Sequence, residues 1–262
     1  MRENKTRSTL EKGLPVVGTM LQGMRSPAGV MIMANAGFDF VFLDLEHGAF
    51  NYETVVDLVQ IIRLAGLTPL VRVPDGLYHL IAPILDAGAQ GIMVPRVESR
   101  EQVEYVVSCT KYPPDGQRGC SVAKGHNDYQ SDEIHTFTQH ANRQNMVIIQ
   151  IEREKAVAEI DTLVSVKGVD VALIGPNDLA LSLGIPMDMQ HPSMKTAIGQ
   201  VVDACQQAGI ASGIHIADPE VLLEWYARGM RMLAYSNDLA MIAKEANQGI
   251  ETLRQGMSLG QC

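Results

Sequence analysis

Eight times along the chain a short apolar run is followed by a turn and then by an amphipathic stretch. This alternation constrains the fold more than any other feature. The apolar runs cover residues 15–20, 38–45, 69–73, 91–94, 146–151, 169–174, 211–216 and 230–235. Most are continuous rather than alternating, as expected of strands covered on both faces. The stretches between them carry helix punctuation. Ser26-Pro27 offers an N-cap followed by proline at the first helical position, and Gly37 can close that helix in a left-handed conformation. Asn51 can cap a helix over 52–65 that Gly66 stops, with Val55, Leu58, Val59 and Ile62 opposite a polar stripe of Glu53, Asp57, Gln60 and Arg63. Gly88 ends a helix over 80–87, Ser99 with Gln102 forms a capping box, and Gly209 and Gly229 end later helices. Short links between strands and helices make parallel βαβ units. Eight such units in 262 residues point to an α/β fold closed as a (β/α)8 barrel rather than to an open sheet.

The exception is 111–145, between the fourth and fifth strands. It opens with YPPDGQRG and continues with GHNDYQSDE. A connection of this length is usually functional or a lid. No linker-like or low-complexity segment interrupts the chain, so residues 1–262 read as a single barrel domain. A long last helix over 238–254 is free to pack on a neighbouring subunit.

Composition narrows the partners. Lys+Arg number 21 against 30 Asp+Glu, a formal charge of −9. That balance argues against nucleic acid and against an anionic membrane surface. No apolar run reaches the roughly 18 residues of a spanning helix, and MRENKTRSTLEKG lacks the apolar core of a signal peptide. The cysteines (Cys109, Cys120, Cys205, Cys262) form no CxxC, which fits a reducing cytoplasm. The expectation is a soluble, cytoplasmic protein acting on a small molecule.

In such a barrel the reactive groups sit at the C-terminal ends of strands. Glu152 and Asp178 follow the fifth and sixth strands. Two carboxylates converging there would repel, and one would take up a proton. A hard divalent cation removes the conflict. Two carboxylates with waters and substrate oxygens suit Mg2+ or Mn2+ better than Zn2+. The plain alternative is that either residue only caps the helix that follows. Arg72, locked by Pro74 just after it, can bind a carboxylate or a developing enolate oxygen, or merely pair with Asp44 or Glu46. His47 lies beside two acids and can act as a general base, or be structural. His215 lies inside an apolar strand; a satisfied core histidine is favoured over one facing the mouth. His79, His126, His135, His140 and His191 fall on surface-like stretches without ligand spacing. There is no GxGxxG after a strand and no Walker loop, which argues against a nucleotide. No lysine ends a strand, and Lys124 and Lys155 lie elsewhere, which argues against a Schiff base.

The strings FDFVFLDLEHG, VRVP, ILDAGAQGIMVPRVES, KYPPDGQRG, IIQIE and GVDVALIGPNDLA, in order over about 13–235, resemble the HpcH/HpaI aldolase family. These are class II, metal-dependent pyruvate aldolases on the TIM barrel of the phosphoenolpyruvate/pyruvate-binding type. The chain is also similar to 2-keto-3-deoxy sugar acid aldolases and to macrophomate synthase. The resemblance implies a carbon–carbon lyase that forms or cleaves 4-hydroxy-2-oxo or 2-keto-3-deoxy acids to pyruvate plus an aldehyde, through a metal-bound enolate. It implies Glu152 and Asp178 as ligands of Mg2+ or Mn2+, with Co2+ a further candidate. Arg72 would stabilise the enolate oxygen and His47 would be the acid/base group. Asp86 would raise the basicity of that histidine, across a subunit contact in the oligomer. Asp44 would hold waters of the metal. Gln150, Gly175, Pro176, Asn177 and Asp178 would hold the pyruvate carboxylate and carbonyl. It also implies a homo-oligomer, a hexamer or trimer of dimers whose last helix is exchanged between neighbours. A decarboxylase or other lyase on the same enolate, and a silent keto-acid-binding subunit, are the alternatives; the set His47, Arg72, Glu152 and Asp178 argues against a mere binder. The chain departs from the family strings at GPNDLA, at His215, at Met20 and at CSVAKGHNDY. These departures leave the pyruvate half intact and the aldehyde open.

Overall fold

The computed structural model describes residues 2–185 and 188–259; Cys262 lies outside them. Eight parallel strands close into a barrel in chain order: β1 (Val16–Leu21), β2 (Phe40–Asp44), β3 (Thr68–Arg72), β4 (Gly91–Val94), β5 (Met146–Ile151), β6 (Val171–Ile174), β7 (Ala211–Ile216) and β8 (Met232–Asn237). β8 pairs back onto β1 with a register shift between Gly18 and Met20. The expected strands are all present: 91–94, 146–151 and 211–216 coincide with β4, β5 and β7, and the other ends are displaced by at most two residues. The continuous apolar runs have a direct cause, since each strand buries both faces. Phe40, Phe42, Leu70, Ile148 and Leu173 fill the barrel interior, while Val41, Leu43, Val71, Ile149 and Ile174 pack under the helices.

The helix signals act as chemistry requires. The Ser26 side chain accepts from Ala28 N at 3.2 Å, and Gly37 closes that helix at φ 91°, a conformation L side chains rarely adopt. Asn51 accepts from Thr54 N at 2.9 Å, and Ser99 with Gln102 completes its capping box. The helix expected over 80–87 begins two residues earlier, as Tyr78–Asp86.

Two expectations need correction. Residues 111–145 are not a lid over the mouth of their own barrel. They join the end of the helix Arg100–Thr110, which runs antiparallel to the strands, to the start of β5. That path lies at the N-terminal face. The segment also carries its own helix, Ile134–Gln144, whose Phe137 and Ala141 bury against Tyr112. The last helix is longer than expected, Asp238–Leu259. Its first turn packs on the barrel, and residues 242–257 are exposed along their whole length.

Candidate active site

Side chains along a strand alternate, so the residues that continue the inward phase beyond the apolar interior must face the mouth. After Phe40 and Phe42 that phase reaches Asp44. After Leu70 it reaches Arg72, and after Met146 and Ile148 it reaches Gln150 and Glu152. After Leu173 it reaches Gly175, and after Met20 it reaches Gln22. On β7 the inward positions before His215 are Ala211 and Gly213, too small to fill the centre. His47, Arg72, Gln150, Asn177, Asp178 and His215 accordingly line a mouth cavity of about 270 Å3.

Arg72 and Asp44 form its fixed base. Arg72 Nε donates to Asp44 Oδ1 at 2.8 Å and Nη2 to Oδ2 at 2.6 Å, while Nη1 lies 3.2 Å from Glu46 Oε2. Both side chains are buried. Asp44 Oδ2 also accepts from Gln22 Nε2 at 2.8 Å, and Oδ1 from the backbone N–H of Glu46 and His47 at 3.0 and 3.2 Å. Burial alone would raise the Asp44 carboxyl. The Arg72 guanidinium and the other donors outweigh it and hold the group below the ordinary carboxylate range. Burial likewise works against the Arg72 charge, and Asp44 with Glu46 overcomes it, so Arg72 stays above its ordinary value. The ion pair with Asp44 and Glu46 is therefore formed, and Arg72 still faces the cavity. Asp44 gives its oxygens to chain donors and so orients Arg72 and the 46–47 turn.

Glu152 lies beneath the mouth. Its Oε1 accepts from Arg96 N at 2.7 Å, and its Oε2 accepts from Gln150 Nε2. Arg96 reaches it through a left-handed backbone at φ 57°. Burial pushes the Glu152 carboxyl above its ordinary value, and the neighbouring Glu46 and Asp178 add to that shift. Gln150 Oε1 is buried without a partner. A cavity of crowded carboxylates beside an orphaned amide oxygen is a set of hard oxygen donors short of positive charge, so the residues fit a hard divalent cation. Among the described residues no three His, Cys, Asp or Glu converge as a ligand cluster. The remaining coordination positions would fall to water and substrate oxygens. Gly175 permits this close approach: a Cβ there would lie 2.7 Å from Gln150 Nε2 and 3.0 Å from Glu152 Oε2.

Asp178 and Asn177 are exposed in the first turn of Pro176–Ser182, and His47 is exposed on the rim. The N–H groups of such a first turn have no intrahelical acceptor. His215, expected to be a core histidine, faces the mouth because the small residues below it end the apolar interior early. Asp86 does not join the group within its own chain. It ends the helix Tyr78–Asp86 near the N-terminal face, where its Oδ1 lies 2.6 Å from Arg118 Nη2 and 3.7 Å from His126 Nδ1. His126 is itself buried and stacked on Phe137, not on the surface.

Sequence reasoning missed Gln22, the backbone of Arg96, and Asp238. The Asp238 carboxylate accepts from the N–H groups of Gln22, Gly23 and Met24 at 2.7 to 3.0 Å and so fixes the turn that carries Gln22. The inward phase of β1 was the available signal for Gln22. The other two act through backbone that carries no sequence signature.

A family model described as HpcH/HpaI aldolase/citrate lyase matches residues 20–244. The chain is 33% identical over 244 residues to a 4-hydroxy-2-oxo-heptane-1,7-dioate aldolase of Shigella sonnei, covering 93% of this chain and 92% of that one. It is 32% identical over 257 residues to a hydroxypyruvate/pyruvate aldolase of Paraburkholderia phytofirmans, covering 96% and 98%. The crystal structure of an HpcH/HpaI aldolase from Desulfitobacterium hafniense superposes with a TM-score of 0.91 at 34% identity, covering 95% and 96%. The chain belongs to the HpcH/HpaI aldolase/citrate lyase family.

Proposed function

We propose that the chain is a divalent-metal-dependent pyruvate aldolase, a lyase that forms or cleaves 4-hydroxy-2-oxo acids to pyruvate plus an aldehyde. The observation that carries this reading is the Arg72 guanidinium, clamped by Asp44 at the floor of a small cavity and faced by the crowded carboxylate of Glu152. When bound by Glu152 and Asp178, a cation such as Mg2+ or Mn2+, with Co2+ a further candidate, would supply Lewis-acid polarisation of the oxo acid. Arg72 neutralises the oxygen that gains charge as the C3 proton leaves. Because Asp44 already fixes its plane, it does so without reorganising. Gln150 and the backbone from Gly175 to Asp178 hold the carboxylate and carbonyl. His47, positioned through its N–H on Asp44, takes the C3 proton and returns one to the aldehyde oxygen. The relatives are named as aldolases, one of a 4-hydroxy-2-oxo dioate and one of hydroxypyruvate/pyruvate, and both names describe 2-oxo acids, which agrees with an oxo-acid half of the site.

Asp86 is proposed to serve His47 of a neighbouring copy, since in its own chain it lies at the other end of the barrel. A homo-oligomer, a hexamer built as a trimer of dimers, accounts for the uncovered last helix. Residues 1–262 are taken as one domain. No helix among the described residues is long and apolar enough to cross a membrane. The described cysteines Cys109, Cys120 and Cys205 are unpaired, which supports a cytoplasmic place.

The test is exchange of the pyruvate C3 protons in deuterated buffer. Exchange is expected with Mg2+ or Mn2+ and is expected to vanish with chelator. Glu152→Gln should abolish both the exchange and the rise in melting temperature that Mn2+ gives the wild type. A wild-type enzyme that exchanges no proton with either metal present would sink this reading.

A further inference from the structure

The mouth does not end at His215. A second cavity of about 800 Å3 adjoins it, and Pro176, Asn177, His215 and Asn237 face both. A keto acid held at Arg72 leaves its partner to approach through contiguous space, and this cavity supplies it. His215 stands at the junction with part of its surface exposed.

The hydrogen bonding of the ring fixes what it offers. Nε2 lies 2.8 Å from the carbonyl oxygen of Ser236. A carbonyl only accepts, so Nε2 carries the ring proton and donates it. Burial, with Arg72 nearby, pushes the imidazole below its ordinary value, so the ring is neutral at pH 7. Nδ1 is then a lone-pair acceptor. No described residue donates to it, and it is not among the buried atoms lacking a partner, so it keeps open surface. Ser236 sits at φ 52°, a conformation that costs a non-glycine residue energy. Its carbonyl also accepts from Thr19 Oγ1 at 3.3 Å. The ring is thus held from below by strained, anchored backbone. The outer cavity adds a charge filter, since among the described residues Asp218 and Glu220 line it against the single cation Lys244. A second carboxylate on the acceptor would meet a net negative wall.

We propose that His215 is the acceptor-specificity residue, its Nδ1 accepting a hydrogen bond from the hydroxyl of an uncharged hydroxyaldehyde. The inference rests on the aldolase reading and goes beyond it by naming the aldehyde class. It separates this chain from a relative whose named substrate is a dioic acid.

The experiment compares kcat/KM for glycolaldehyde, its isostere propanal and the carboxylated succinic semialdehyde, each with pyruvate and Mn2+. Wild type is expected to favour glycolaldehyde over propanal by about tenfold, the worth of one such hydrogen bond. His215→Leu should bring that ratio near one. His215→Asn, whose amide oxygen can stand in for Nδ1, should restore part of it. The ratio cancels any general loss of activity, and the wild-type ratio stands even where a variant folds poorly. A wild-type ratio near one, a ratio unchanged in His215→Leu, or succinic semialdehyde as the best acceptor overturns the proposal. Failure of the aldolase reading shows separately, as absent proton exchange with pyruvate alone.

Discussion

Asp44 accepts from Arg72, from Gln22 and from the backbone N–H groups of Glu46 and His47, and the chain depends on that. Arg72 and Asp44 are both removed from water, so each is tolerated only with the other present. Asp44→Ala leaves a buried guanidinium with Glu46 alone. The expected loss is about 3–5 kcal/mol of unfolding free energy, together with loss of turnover, measured by denaturant titration and by proton exchange. The pH dependence has a definite sign. A carboxyl whose folded value is depressed contributes stability above its unfolded value and loses it as pH falls through the folded one. The difference between wild type and Asp44→Ala is therefore full at pH 7 and shrinks below the ordinary carboxylate range. A difference that stays constant down to pH 3, or that widens, would remove the ion pair from this account. The residue types at 44 and 72 and their placement at strand ends were legible in the sequence, as was the choice between ion pair and anion site. That Arg72 pairs with Asp44 and still lines the cavity was not, because only the fold brings the fork of Arg72 against both oxygens of Asp44.

Strands and their ends were the most readable elements, for a physical reason. A strand buried on both faces must be apolar throughout, so the first polar residue in its inward phase marks where the barrel interior stops. Phe42 followed by Asp44, and Ile148 followed by Gln150, show that boundary directly. β7 does not, because Ala211 and Gly213 carry too little side chain to mark an interior, and His215 then reads as core. The segment 111–145 misled in a different way. Its polar composition reads as a lid, but which end of a barrel a connection occupies follows from the direction of the elements it joins. His126 was hidden because the ring stacked on it, Phe137, is remote in the local pattern. The turn after β6 gives the sharpest element-scale prediction. The chain passes so close to Gln150 and Glu152 that Gly175→Ala forces a displacement of their side chains. Misplacement of reacting groups by a fraction of an ångström is costly, so kcat/KM is expected to fall by roughly a hundredfold. Circular dichroism should show the barrel retained. Near-wild-type turnover of Gly175→Ala would mean that the carboxylate does not need its observed place.

At the scale of the whole molecule the charge of −9 says little about the substrate, since Arg72 and a cation held by Glu152 and Asp178 would supply the local positive charge that an oxo acid meets. The last helix says more. Ile242, Leu253 and Met257 are more than half exposed and Ile250 nearly so, at spacings of three, four and eight that lie on one face. A helix does not leave such a stripe in water without a partner surface, because each side chain forfeits the burial that would stabilise it. Nothing in the described chain covers it beyond its first turns, so the partner is taken to be another copy. The pair Ile250→Glu and Leu253→Glu puts charge into that contact and touches no barrel residue. The expected result is a smaller particle by light scattering behind size-exclusion chromatography, with far-ultraviolet circular dichroism close to wild type. Turnover should fall with particle size, because the proposed Asp86–His47 partnership requires a neighbour. An unchanged particle mass would mean that the stripe is not the assembly contact. A smaller particle with full turnover would keep the contact and remove Asp86 from the neighbouring site.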